Sequence, residues 1–219
     1  MKNRYIVLIK IIIHLACLIP LAWLGYNGYN DNLGANPIEV ITRSTGFWTL
    51  ALLMVTLSVT PLRQITGLQW LIRLRRMIGL YAFFYACLHF TTYIWLDQFF
   101  DLESISKDIV KRPFITAGFT GFVLLIPLAL TSTKGMVRRL TGKRWQQLHR
   151  LIYLSAIAGV VHFFWLVKAD ISQPLIFGTI LALLLGHRAT VKLWSMLSSR
   201  FSFKNYESSN RAGTEVVKK

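Results

Sequence analysis

Six apolar stretches divide this chain, at residues 6–26, 45–59, 77–96, 114–130, 148–167 and 175–189. A run of about 20 such residues crosses a hydrocarbon layer about 30 Å thick as a helix rising about 1.5 Å per residue. The second and last are short, with boundaries soft by several residues. Composition agrees: 54% of the 219 residues are hydrophobic and 16% are charged, far less charge than a soluble domain of this length carries. The expected fold is therefore all-α, an integral membrane bundle of six transmembrane helices. An even number of crossings puts both termini on one side.

Charge settles which side. The N-terminal segment, residues 60–76, residues 131–150 and the C-terminal segment hold 3, 4, 6 and 7 Lys or Arg, 20 of the chain's 25. Acidic residues divide the other way: Asp31, Glu39, Asp97, Asp101, Glu103, Asp108 and Asp170 fall opposite, leaving only Glu207 and Glu215 with the basic segments. The positive-inside rule then makes both termini cytoplasmic. The net charge of +16 reads as topology and contact with anionic membrane lipid, with no nucleic acid among the partners. The first span has a signal peptide's basic start, but its apolar core runs long and no A-x-A-like site follows before Asn27, so it is expected to stay in place. Cys17 and Cys87 lie within spans and read as packing residues, outside any C-x-x-C-H haem-attachment pattern.

The connections on the basic side, TPLRQITGLQWLIRLRR and TSTKGMVRRLTGKR, are short. The longest connection on the other side, DQFFDLESISKDIVKR, has a periodicity that predicts an interfacial helix over about 102–111. Pro113 and Pro174 suit the first turn of a following helix, whereas Pro20 and Pro127 fall inside spans and should kink them. Residues 1–199 form one transmembrane domain, and 200–219 read as a polar, flexible cytoplasmic tail. There is no G-x-G-x-x-G, no P-loop and no room for a dinucleotide-binding domain. Nicotinamide-derived electrons would have to come from another polypeptide or a lipid-soluble carrier.

No Asp or Glu lies at the centre of any span, so the chemistry available inside the membrane is imidazole. His14, His89, His149 and His162 lie in or at the edge of spans one, three and five, and His187 lies at the basic end of span six. Counted from the basic side, His89 is about 18 Å deep and His162 about 21 Å deep, on helices running in the same direction. Two level imidazoles on separate helices suit the axial ligation of a haem iron. A hydrogen-bonding role in the core is the alternative for each taken singly, and zinc lacks a carboxylate or thiolate to complete a tetrahedron there. Phe83, Phe84, Tyr85 and Phe90, with Phe163, Phe164 and Trp165, would suit a porphyrin or lipid equally. His149 precedes His162 by 13 residues, which on a straight helix turns their side chains about 140° apart. A π-bulge, or ligands aimed at different neighbours, would be needed for two stacked haems. The residue 13 before His89 is Arg76, so the fourth ligand of a second haem is missing, and His14 is the candidate to supply it.

The runs LIRLRRMIGLYAFFYACLHFTTY, KRPFITAGFTGF, LTSTKGMVRRLTGKRWQQLHRLIYL and VHFFWLVK closely resemble the MsrQ (YedZ) family, haem-binding membrane subunits of the bacterial periplasmic methionine sulfoxide reductase system. GKRWQQLHRLIY is the most specific piece. More distantly the chain resembles the ferric reductase and NADPH oxidase transmembrane domain, whose two haem-bearing helices each carry paired histidines. The resemblance implies an inner-membrane electron-transfer subunit with haem b and FMN, which passes electrons from quinol to a periplasmic molybdenum-containing partner, MsrP. By position it assigns His89, His149 and His162 to haem. The basic residues Arg75, Arg76, Arg138, Arg139, Lys143 and Arg144 could pair with the FMN phosphate or haem propionates, though positive-inside topology explains them as well. Two other readings stand beside this one: an iron- or oxygen-reducing oxidase-type protein fed by a cytosolic flavin reductase, and a histidine-containing transporter or membrane scaffold.

Overall fold

The computed structural model describes residues 3–216, and their side chains at 4–194, 196 and 198. Among these residues the chain is wholly helical, in the order α1 (Asn3–Tyr29), α2 (Pro37–Thr66), α3 (Ile72–Thr92), α4 (Leu102–Lys111), α5 (Pro113–Leu130), α6 (Lys134–Leu148), α7 (Leu151–Leu166) and α8 (Ser172–Val216). A 3-10 turn at Gln69–Leu71 leads into α3, and a π turn at Tyr93–Asp97 ends it. Five helical stretches are long and apolar enough to cross a membrane, namely Arg4–Tyr29, Pro37–Thr66, Gln69–Asp97, Pro113–Leu130 and Ser172–Trp194. The pair α6 and α7, bent by 42° where they meet, makes a sixth when taken as one broken span. The chain is a multi-span membrane protein.

The helices outlast the apolar windows expected from sequence. Asn36 caps α2 by accepting from the Glu39 amide at 3.2 Å, Pro37 fits the first turn, and Gly67, at φ 71°, closes the helix in a left-handed cap. Pro61, expected in a connection, is thus inside α2. Residues 131–150, expected as a connection, are mostly the helix α6, broken at Thr141 (φ 63°, ψ 153°). The expected fifth span over 148–167 is corrected as well: its helix begins at Leu151, and His149 and Arg150 occupy the bend. Helix α4 spans the expected residues 102–111, capped by Asp101, which accepts from the amides of Glu103 and Ser104 at 3.0 and 3.2 Å. Residues after Arg200, expected as a flexible tail, continue α8 as helix to Val216. Extending a formed helix costs far less than nucleating one, which lets polar residues follow apolar ones.

The chain divides into two units, Met1–Leu181 and Ala182–Lys219; the described residues of the second are the remainder of α8. Within the first unit, α2 packs along α3 and α5 along α7, and contacts of α3 with α5 and of α2 with α7 join the two pairs. Lipid removes the hydrophobic drive between helices, so small residues and internal hydrogen bonds have to hold them. Ala82 and Ala156 are fully buried, and the Ser155 hydroxyl donates to the Gly121 carbonyl at 2.8 Å where α7 meets α5. Thr45 and Thr56 hydroxyls donate back to Ile41 and Leu52 carbonyls. Tyr85, fully buried on α3, donates to the Cys17 carbonyl of α1 at 2.7 Å. Tyr85→Phe is expected to lower stability by about 1 kcal/mol, measured as a fall in Tm of the detergent-solubilised protein.

Candidate functional site

At the heart of the first unit, His89 of α3 and His162 of α7 face each other with ring centroids 6.1 Å apart and planes at 73°. Each imidazole leans on the neighbouring helix of its own pair. His89 Nδ1 donates to the Thr42 carbonyl of α2 at 2.9 Å, and His162 Nδ1 donates to the Phe114 carbonyl of α5 at 2.7 Å. A carbonyl can only accept, so both rings carry their proton on Nδ1 and keep the Nε2 lone pair for another partner. A second hydrogen bond that fixes tautomer and ring direction is how metal-ligating histidines are held. Bonds of about 2 Å from each Nε2 to a metal ion between them call for a ring separation close to the 6.1 Å between the centroids.

One turn beyond each accepting carbonyl stands a glycine. A Cβ on Gly46 would lie 3.0 Å from His89 Cε1, and one on Gly118 would lie 2.7 Å from His162 Nδ1. The two half-sites are built alike: a carbonyl at position i, a glycine at i+4, and an imidazole from the partner helix laid across both. Buried Thr45 adds a hydroxyl 3.5 Å from His89 Nδ1. Sequence reasoning missed Gly46, Gly118 and Thr45; the signal available was a glycine in the outer part of each flanking span, where close helix approach favours small residues. The Phe114 ring lies 6.3 Å from that of His162; elsewhere on these helices Phe90 stacks on Phe122 at 4.5 Å, while Phe163 and Phe47 both meet Phe177.

The other sequence candidates are placed elsewhere. His149 caps α6, stacks on Trp145 at 3.8 Å and donates from Nδ1 to its carbonyl at 3.1 Å; Trp145 Nε1 is anchored on the Thr131 carbonyl at 3.0 Å. His149 Nε2 is buried with no hydrogen-bond partner among the described residues. The bend at His149 and Arg150 replaces the straight-helix angle to His162, and the π turn lies at the end of α3 instead of within α7. His14 is exposed on α1, with Nδ1 hydrogen-bonded to Tyr81 Oη at 2.8 Å, which places its ring against α3. Arg75 and Arg76 occupy the first turns of α3, Arg75 partly buried and Arg76 exposed.

Residues 45–160 match the family described as ferric reductase like transmembrane component, a stretch that contains Gly46, His89, Gly118 and His149 and ends two residues before His162. The bundle is a ferric-reductase-like membrane domain. The chain is 61% identical over 180 residues to the protein-methionine-sulfoxide reductase heme-binding subunit MsrQ of Herminiimonas arsenicoxydans, covering 81% of this chain and 83% of that one. It is 52% identical over 191 residues to the MsrQ of Azospira oryzae, covering 87% and 82%, and 49% identical over 205 residues to that of Xanthomonas campestris pv. campestris, covering 91% and 92%. The chain belongs to the MsrQ family.

The glycines give the site a stability test that is independent of any cofactor. Gly118→Ala is expected to cost about 1–3 kcal/mol by overpacking, and more than Gly46→Ala, whose added methyl meets the ring edge at a longer distance. Comparing the Tm values of the two variants in one detergent checks the order.

Proposed function

We propose that this protein is an electron-transfer subunit that holds a b-type haem between His89 and His162 in a bacterial inner membrane, with both termini cytoplasmic. It would pass electrons from the quinol pool to a periplasmic MsrP-type molybdenum reductase, for repair of oxidised periplasmic proteins. The observation that carries the reading is the pair of Nδ1-braced imidazoles 6.1 Å apart. The name its relatives bear, heme-binding subunit, supports it. When bound, the haem would supply one-electron redox chemistry. The chain's own part is to hold two neutral imidazoles at a fixed tautomer, to keep Thr42 and Phe114 carbonyls as their acceptors, and to set the Phe114 ring beside His162. His149, with its unpartnered Nε2, is the candidate for a further haem contact on the basic side, and Arg75 and Arg76 for propionate or phosphate pairing. For FMN, those two arginines offer charge for its phosphate, and no step is derived from it.

His89→Ala and His162→Ala are each expected to abolish the low-spin haem spectrum of the purified protein, with metal-site affinity reduced at least 10- to 100-fold. An unchanged Soret band in either variant would sink the assignment. His149→Ala should leave that spectrum in place while altering any second component. The oxidase-type alternative, with a cytosolic flavin reductase as donor, is separated by following reoxidation of the reduced protein. Reoxidation by MsrP loaded with sulfoxide substrate supports transfer to the periplasmic reductase, and reoxidation by ferric iron or oxygen alone supports the oxidase-type reaction. A colourless purified protein would point to a transporter or scaffold.

A further inference from the structure

The strongest feature outside the histidine pair is a second imidazole with a polar partner, this one facing outward. His14 of α1 and Tyr81 of α3 are hydrogen-bonded at 2.8 Å, with their rings edge to face at 5.4 Å. Together with Leu18, Met77, Leu80 and Phe84 they line an open groove of about 350 Å³. This is within the size range of small-molecule sites, and the groove has the composition of one: apolar walls with a few convergent polar groups. Its mouth opens between two helices of the membrane bundle. His14 is exposed there, and no described residue meets its Nε2. An ionisable pair presented to lipid is costly unless a ligand uses it.

The groove also has a path inward. Tyr81 meets Phe84 at 6.3 Å, and Phe84 meets Tyr85 at 5.6 Å. Tyr85 lies one helical turn before His89, and Tyr81 two turns before it, about 12 Å along the axis. Lys10 lies one turn before His14 on the same face of α1, toward the aqueous end of the helix. The groove thus offers a ring seat reached from lipid, a base at the seat, a cationic side chain leading outward and aromatic rings leading to the site.

We infer that this groove docks the head group of a lipid-soluble hydroquinone and that His14 accepts its protons, an inference that rests on the proposal that membrane quinol is the electron donor. In the tautomer in which Nδ1–H donates to Tyr81 Oη, Nε2 is the free base. One hydroquinone O–H bond would break as an Nε2–H bond forms, and the electron would pass to the one-electron acceptor that a haem held by His89 and His162 would supply. His14 then releases its proton to water past Lys10. The second O–H bond and the second electron would follow by the same route once that acceptor is free again. The hydroquinone ends as quinone, having given up two protons and two electrons.

The test uses the purified, haem-loaded full chain. Haem reduction by decylubiquinol is followed by stopped flow, with dithionite as a reductant that needs no site, and binding of oxidised decylubiquinone is measured by equilibrium dialysis. His14→Leu is expected to slow reduction by decylubiquinol about 100-fold, the usual size of a lost general base, while its Soret band and its reduction by dithionite stay as in the wild type. Tyr81→Phe should slow it less. Leu18→Trp, which fills the groove, should weaken decylubiquinone binding at least tenfold. Ser44→Ala, in a separate groove between α1 and α2 lined also by Trp23 and Trp48, should change neither. If wild type is reduced quickly by decylubiquinol and both His14→Leu and Leu18→Trp match it, the donor reading stands and the groove is a seat for lipid. Should the wild type respond to dithionite but not to decylubiquinol, the donor reading falls and the groove assignment with it. A lost or shifted haem spectrum in His14→Leu would make His14 an iron ligand and overturn its role as base.

Discussion

An imidazole N–H handed to the carbonyl of a neighbouring membrane helix is the contact on which this bundle's interior depends. In lipid, a polar group without a partner costs several kcal/mol, so a histidine between helices has to find an acceptor before it can do anything else. His89 finds it at Thr42 and His162 at Phe114. The same bond sets the tautomer, leaves Nε2 free, and brings the backbone of the accepting helix so close that a Cβ one turn further on would crowd the ring, at 3.0 Å for Gly46 and 2.7 Å for Gly118. Packing of α2 on α3 and of α5 on α7 and the chemistry of the site are therefore one arrangement.

The end of α3 shows how that arrangement is held. Thr92 donates back to the His89 carbonyl at 2.7 Å, and the π turn begins at the next residue. Asp108 of α4 then gathers this end, with Arg112 Nε at 3.2 Å and Tyr93 Oη and Gln98 Nε2 both at 3.4 Å. Helix α4 is thereby tied to the helix that carries His89. Just before α4, Phe99 and Phe100 are exposed with φ of 48° and 61°. Two adjacent bulky residues in the left-handed region carry a conformational cost, which ties to α4 on one side and α3 on the other help to sustain.

Legibility in the sequence follows the range of the interaction. Helix α4 was readable to the residue because its cap, its apolar spacing and the following Pro113 are all local. The level match of His89 and His162 was readable because depth along a helix is simple arithmetic. Helix lengths were underestimated because hydropathy marks the lipid-facing part, whereas α2 runs from the Asn36 cap to Gly67 on backbone hydrogen bonds that polar residues sustain as well. The roles of Gly46 and Gly118 were hidden because they depend on a side chain 43 or 44 positions away, and no local pattern distinguishes them from other small residues in spans. The bend at His149 was hidden for a related reason: Trp145, which stacks on it, is anchored to Thr131, 14 residues earlier.

That bend bears on the comparison with oxidase-type proteins, which carry paired histidines on each of two helices. In this chain the two levels are built differently. At one, two rings face each other, each braced by a carbonyl and fitted against a glycine. At the other, His149 spends its N–H within its own chain segment, on Trp145, and keeps a buried Nε2 without a partner among the described residues. Arg76, 13 residues before His89, sits exposed at the start of α3 where an opposing histidine would stand. The His149 N–H bond is made within its own segment, and no described glycine is packed on its ring as Gly46 and Gly118 are on theirs. The second level is therefore not a copy of the first; it is a single imidazole held by a local stack, and any partner for its free nitrogen has to come from outside the pattern that built the His89–His162 pair.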